Sequence, residues 1–247
     1  IVRGDWSSDV CSSDLGNFYL YPFDKSFDAD GKDLNATPNG SFYTFTSRLG
    51  LDVTGPDIGK ARSSAKIETD FGGFSGSNTM LRIRQAYVNL DWGKSAVLVG
   101  ITWHPLFGAV MPDVLNLSTG APFQPFNRSP QIRYQYKANS RVQLTASVLW
   151  QLQYLSSGPK GMSEDYIKNS CIPEMFVGAD FTPADGWLMG LGAHMISLKP
   201  RTSTEWKEQT FKVNERMTAF SYEAHLKYSG RNYTFAAKTL MASALDH

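Results

Sequence analysis

Charged side chains in this sequence recur on alternate positions. In segment 41–53, Arg48 and Asp52 share a parity with Thr44 and Thr46; in segment 62–70, Arg62, Lys66, Glu68 and Asp70 do the same. Arg133 and Lys137 repeat the arrangement in segment 131–137, and Arg82 and Arg84 begin another. Rows of fixed charge of this kind attract, repel and steer ions and small polar solutes. Bond-making chemistry has no comparable signature. There is no Gly-x-Ser-x-Gly elbow, and His104, His194, His225 and His247 lack the His-Glu-x-x-His spacing of a metal site. The sequence therefore reads as non-enzymatic, with no cofactor and no metal, and its histidines read as lining groups. Asp24, Asp28, Asp30 and Asp33 are hard carboxylates that suit Ca²⁺, but such a run is more often a solvated loop. Gly190-Leu191-Gly192 falls inside a strand pattern, where small residues admit a bulge or a close contact; it is not a phosphate loop.

The elements that must hold these charges are β-strands. Opposite Arg48 and Asp52 stand Tyr43, Phe45, Leu49, Leu51 and Val53, and opposite Lys66 and Glu68 stand Ala65, Ile67 and Phe71. Side chains alternate across a strand, so one face is apolar and the other polar. The theme returns in segments 82–92, 95–103, 131–137, 141–152, 175–181, 187–197, 217–228 and 233–241, and in the short segment 17–21. That makes roughly eleven strands and no convincing helix. Their connections alternate between long (22–40, 72–79, 104–130, 153–172, 199–215) and short (55–60, 93–94, 138–140, 183–186, 229–231). Strands of one apolar parity, with tight turns at one end and long loops at the other, are the pattern of a transmembrane antiparallel β-barrel, with short periplasmic turns and long external loops. A Lys or Arg facing lipid at mid-membrane costs about 2–4 kcal/mol, so the charged parity is expected to face a water-filled lumen.

Composition agrees. No apolar run is long enough for a transmembrane helix. Mean hydropathy is −0.29, as a wall with every second residue apolar requires. The net charge of +1 argues against a nucleic-acid partner. A soluble β-sandwich shows the same alternation, but it has no reason to concentrate its largest rings beside turns. Here Trp92, Tyr136, Phe181, Trp187, Tyr228 and Tyr233 flank the short turns, each on its strand's apolar parity, as an aromatic girdle requires.

The two ends read differently from the middle. Residues 5–15 look like a translated sequencing adapter, so residues 1–15 are expected to be non-native and residues 16–247 a partial barrel. Cys11 would then carry no meaning, and Cys171 alone supports no disulfide. The chain stops just after a strand, which suggests a C-terminally truncated fragment.

One further feature is specific. The longest connection follows the fifth strand, and Arg84-Gln85-Ala86-Tyr87-Val88-Asn89-Leu90 with Val97-Leu98-Val99-Gly100 forms the hairpin leading into it. In this the chain resembles the trimeric general porins of Gram-negative bacteria over residues 16–241. The resemblance implies an outer-membrane barrel of about sixteen strands, a homotrimer in lipid and lipopolysaccharide, and passive diffusion of small hydrophilic solutes and ions. It also implies a third loop folded into the pore. That loop would be 104–130, rich in Pro, Gly and aromatics, with Phe107, Asp113, Phe123 and Arg128 at the constriction. Asp113 would face Arg48, Arg62, Lys66 and Arg133 on the wall, or else only cap a turn. The loop carries one acid where the family has several. Arg82 and Arg84 share the apolar parity of Val88 and Leu90, so either a bulge near Gln85 turns them inward or they sit above the membrane. The wall residues Arg48, Arg62, Lys66, Arg133 and Lys137 outnumber Asp52, Glu68 and Asp70, which favours anions mildly. A substrate-specific channel and a soluble β-sandwich binding protein are the alternatives.

Overall fold

The computed structural model describes residues 2–3, 25–34, 47–71, 81–111 and 125–243. The strands are β1 (Val2–Arg3), β2 (Arg48–Thr54), β3 (Arg62–Phe71), β4 (Leu81–Asp91), β5 (Ser95–Trp103), β6 (Arg128–Lys137), β7 (Val142–Leu149), β8 (Ser157–Gly158) and β9 (Gly161–Met162). They continue as β10 (Glu174–Phe181), β11 (Trp187–Leu198), β12 (Ser203–Trp206), β13 (Gln209–Lys212), β14 (Met217–Ser229) and β15 (Thr234–Ala242). One helix, α1 (Asp165–Ser170), and a 3-10 turn (Pro105–Phe107) complete the described elements. The expected segment 17–21 lies outside the described residues.

The chain divides into two compact units. The smaller holds Ile1–Leu51, Glu68–Ile83 and Asp113–Phe123. In it Val2 pairs with Leu51 and Arg3 with Gly50, antiparallel.

In the larger unit, β5, β6, β7, β10, β11, β14 and β15 are hydrogen-bonded neighbours in that order, every pair antiparallel. Each strand pairs with the next long one in sequence, as an up-and-down wall demands. Alternation sets the two faces. On β11, Met189 and Leu191 are exposed while His194 and Ile196 are buried; on β14, Phe220 and Tyr222 are exposed while Ser221 and Glu223 are buried. Leu191 is 68% exposed and Glu223 5%. A sheet that turns its aliphatic side chains out and its charges in is folded for lipid, not water. The chain is thus antiparallel outer-membrane β-barrel wall.

The turns follow from local chemistry. Gly186 has φ 80°, and a Cβ there would strike the Ser229 carbonyl of the adjacent strand, so only glycine fits between β10 and β11. Beside these turns Trp187, Tyr228 and Tyr233 pack ring against ring, with centroids 4.8 and 5.7 Å apart. Along β4 the exposed parity changes: Leu81 and Ile83 are exposed, and so is Val88, an odd number of residues away. The β4–β5 ladder runs from Asp91–Ala96 to Ala86–Ile101. Opposite its end Gly100 has φ 136°, and a Cβ there would meet the Ala86 carbonyl. A one-residue slip in parity near Gln85 accounts for the buried Arg82 and Arg84.

One expectation is corrected. Connection 153–172 contains α1, although no helix is expected there. Its six residues are too few to show a periodic apolar stripe. The helix stands because Tyr166 and Ile167 bury themselves against Ile196, Leu198 and Ala219, with Trp150 alongside. The expected wall strands among the described residues stand, and the long connections carry small hairpins of their own, β8–β9 and β12–β13.

Candidate pore lining and constriction

Residues 104–111 leave β5 and pack on the polar face of the larger unit's sheet. His104 opens the segment: its Nδ1 accepts the Leu106 N–H at 3.1 Å, capping a 3-10 turn whose first residue is Pro105. The His104 N–H donates to the Asn127 carbonyl at 2.8 Å, pinning the two ends of the long connection together. Leu106 is fully buried against Leu149 and Phe176, with Leu240 beside it. Lys238 Nζ, from β15, donates to the Phe107 carbonyl at 2.7 Å.

Aromatic and cationic groups stack around this anchor. The Trp103 and Phe107 rings lie 4.2 Å apart and 8° from parallel. Arg128 sits 4.8 Å and Arg84 5.7 Å from the Trp103 ring, and Arg128 also donates to the Tyr154 hydroxyl at 2.6 Å. Guanidinium groups favour such ring faces strongly where water is excluded.

A cavity of about 330 Å³ opens beside the segment, bounded by Trp103, Phe107, Arg133, Gln143, Asp180, Glu223 and His225 among others. His225 is held at both nitrogens: Nε2 lies 3.2 Å from Asp180 Oδ1, and Nδ1 lies 3.2 Å from Glu223 Oε2. Glycine makes the room. A Cβ on Gly190 would strike the His225 ring, and one on Gly192 would strike Phe176 and Glu223. The close contact is therefore the role of this Gly-Leu-Gly stretch. Arg133 donates to the Trp103 carbonyl at 2.7 Å and to Gln131 Oε1 at 3.0 Å, aiming its positive charge at the cavity's edge.

The other wall residues fall in several places. In the smaller unit, Arg82 pairs with Asp70 at 2.9 Å and Arg48 lies 3.8 Å from Glu68. In the larger unit, Lys66 lies 3.7 Å from Asp52, Arg62 pairs with Asp91 at 2.9 Å, and Lys137 is exposed at the short-turn end. Glu68, Asp91, Asp52 and Asp70 thus each stand beside one cation. Phe107 and Arg128 meet through Trp103. Asp113 and Phe123 lie outside the described residues, as does Asp24. Asp28 accepts the N–H groups of Asp30 and Lys32, and Asp33 that of Ser26, so these acids serve their own turn. Of the girdle residues, Trp92, Phe181, Trp187 and Tyr233 are exposed, and Tyr136 and Tyr228 half-buried.

Sequence reasoning missed one cluster. His104, Glu174 and His194 are all buried and bring one ligand atom each to within 4.8 Å of one another. They come from the inward segment, the start of β10 and the middle of β11. No short motif links them, and only the burial expected of inward-parity residues hinted at them.

No family model matches this chain, and no curated protein matches it. Among solved structures, it is similar to a loop-deletion mutant of OmpT, an outer membrane protein of Vibrio cholerae. Identity is 14% and the TM-score 0.46, covering 81% of this chain and 63% of that one. The trimer form of OmpT gives 15% and 0.46, over 80% and 59%. OprB of Pseudomonas putida gives 11% and 0.48, over 80% and 60%, and a mutant porin of Rh. blastica 11% and 0.26, over 81% and 86%. The chain thus spans less than two thirds of the OmpT and OprB chains. The non-enzymatic reading is corrected by these findings. The solved structures it is similar to include OmpT, an outer membrane protein, and OprB as well as a porin, and His104, Glu174 and His194 gather in the interior although no sequence motif links them.

Proposed function

We propose that this chain forms part of an outer-membrane porin through which small hydrophilic solutes and ions diffuse passively. The observation that carries the reading is the inward anchoring of residues 104–111 by Leu106 and by the Lys238–Phe107 bond. A loop fixed on the polar face of a barrel wall narrows the lumen, and lumen charges then set ion preference. In this reading Phe107 and Arg128, with Asp113 and Phe123, form the constriction, and Arg48, Arg62, Lys66, Glu68, Asp70, Arg82, Arg84, Arg133 and Lys137 line the wall. The outward aliphatic face and the ring cluster at the short turns contact lipid and lipopolysaccharide. A homotrimer is the expected assembly. Planar-bilayer recording of the full-length gene product is the test: stepwise ohmic currents in groups of three are expected, and a folded barrel without conductance overturns the proposal.

One observation favours a second reading, a substrate-specific channel. The Trp103–Phe107 stack borders a cavity that also presents Asp180, Glu223, His225 and Arg133. Rings beside paired charges suit a polar solute with apolar faces. A specific channel would show conductance that one solute class blocks in a saturable way, whereas a general porin would not.

A further inference from the structure

We propose that His104, Glu174 and His194 bind a divalent transition-metal ion of the zinc class. Glu174 Oε2 lies 3.4 Å from His104 Nε2 and 3.3 Å from His194 Nε2. Charge-assisted bonds between such groups contract to about 2.7–2.9 Å. Tetrahedral ligands about 2.0–2.1 Å from a zinc ion stand roughly 3.4 Å apart, which is the spacing of the two Glu–His pairs here, and all three donors lie within 4.8 Å of one another. Two imidazoles and one carboxylate, with a fourth position left open, are a donor set that zinc accepts.

The surroundings hold these groups in place. Glu174 Oε1 accepts from Gln151 Nε2 at 2.8 Å, and Gln151 Nε2 also donates to Ser156 at 2.8 Å, so the carboxylate is oriented from behind. The two histidine rings meet edge to face, with centroids 4.9 Å apart. Glu174 and both histidines are buried, so the three donors are shielded from bulk water. His104 also borders the 330 Å³ cavity, which supplies an entry path and water for the fourth position.

The site is coupled to the inward segment. His104 Nδ1 now accepts the Leu106 N–H, so the neutral ring carries its proton on Nε2, facing Glu174. Ligation through Nε2 moves that proton to Nδ1, where it meets the Leu106 N–H. The first turn of the segment yields as the ion enters.

The test uses the full-length gene product, folded in detergent, stripped with a chelator and titrated with Co²⁺ alone, then with Zn²⁺. One Co²⁺ per chain is expected, with the visible absorption of a low-coordinate ion that Zn²⁺ displaces. Glu174→Gln and His194→Asn should each weaken binding by at least about 100-fold, and Gln151→Leu by about tenfold to 100-fold. Absence of Co²⁺ binding at millimolar concentration in the folded wild type overturns the proposal, as does undiminished binding by folded Glu174→Gln. Should the variants fail to fold, X-ray absorption of the Zn²⁺-loaded wild type decides, since two imidazoles in the coordination shell are required. Binding is read independently of conductance, so it can fail while the porin reading stands.

Discussion

Two connections at the same end of the sheet behave in opposite ways. Residues 104–111 bury Leu106 completely and Val110 almost so, and they are tied to a distant strand by Lys238. The β12–β13 hairpin also carries large apolar side chains, Trp206 and Phe211, yet both are exposed, Trp206 at 67%. Its register is self-contained, Ser203 to Trp206 against Lys212 to Gln209, and turns through Lys207 and Glu208 at positive φ. Apolar content therefore does not decide which loop enters a barrel. A loop goes in when the inward faces of several strands offer it complementary partners, as Leu149, Phe176 and Lys238 do. A loop that satisfies its own backbone hydrogen bonds stays out.

Variants can break this contrast, beginning with the largest effect. Leu106→Ala should cost about 2–5 kcal/mol in denaturant unfolding and raise single-channel conductance, because the cavity it leaves loosens the anchored segment. An unchanged conductance would separate the segment from the pore's narrowest point. Ile167→Ala tests the other buried connection: about 2–4 kcal/mol of stability should go, as α1 loses its hold on Ile196 and Leu198. For Lys238→Met we expect about 1–2 kcal/mol, since it removes a charged donor from the Phe107 carbonyl. Its diagnostic is increased current noise as the segment comes free. Trp206→Ala should stay within about 0.5 kcal/mol and leave conductance unaltered. A large effect there would mean that the hairpin is not the free loop described. Smallest of all, Arg201→Gln breaks an exposed pair with Glu215, where screening by water leaves less than about 1 kcal/mol.

The strands were largely legible. Alternation places segment 95–103 at the bounds β5 adopts, and puts 175–181, 187–197 and 217–228 within a residue of β10, β11 and β14 at either end. Period-two patterning is a local property, and each strand carries its own copy of it. The parity conflict at Arg82 and Arg84 was legible as well, because a regular strand would put both arginines on the lipid-facing side with Val88. By contrast α1 has only six residues, too few for periodicity to register, and its stability resides in strand residues far along the chain.

What the amino-acid order alone determined is the wall: which residues face lipid, which face water, where the turns fall and where the rings gather. Those follow from side-chain alternation and from glycine's tolerance of positive φ. What the tertiary structure decided is the interior. His104, Glu174 and His194 meet only because β10 and β11 pair in one particular register and the inward segment crosses them. Likewise His225 lies between Asp180 and Glu223 because Gly190 and Gly192 leave space opposite. Convergence of this kind depends on strand register and on loop docking, both set by long-range packing, and no local spacing in the chain encodes it.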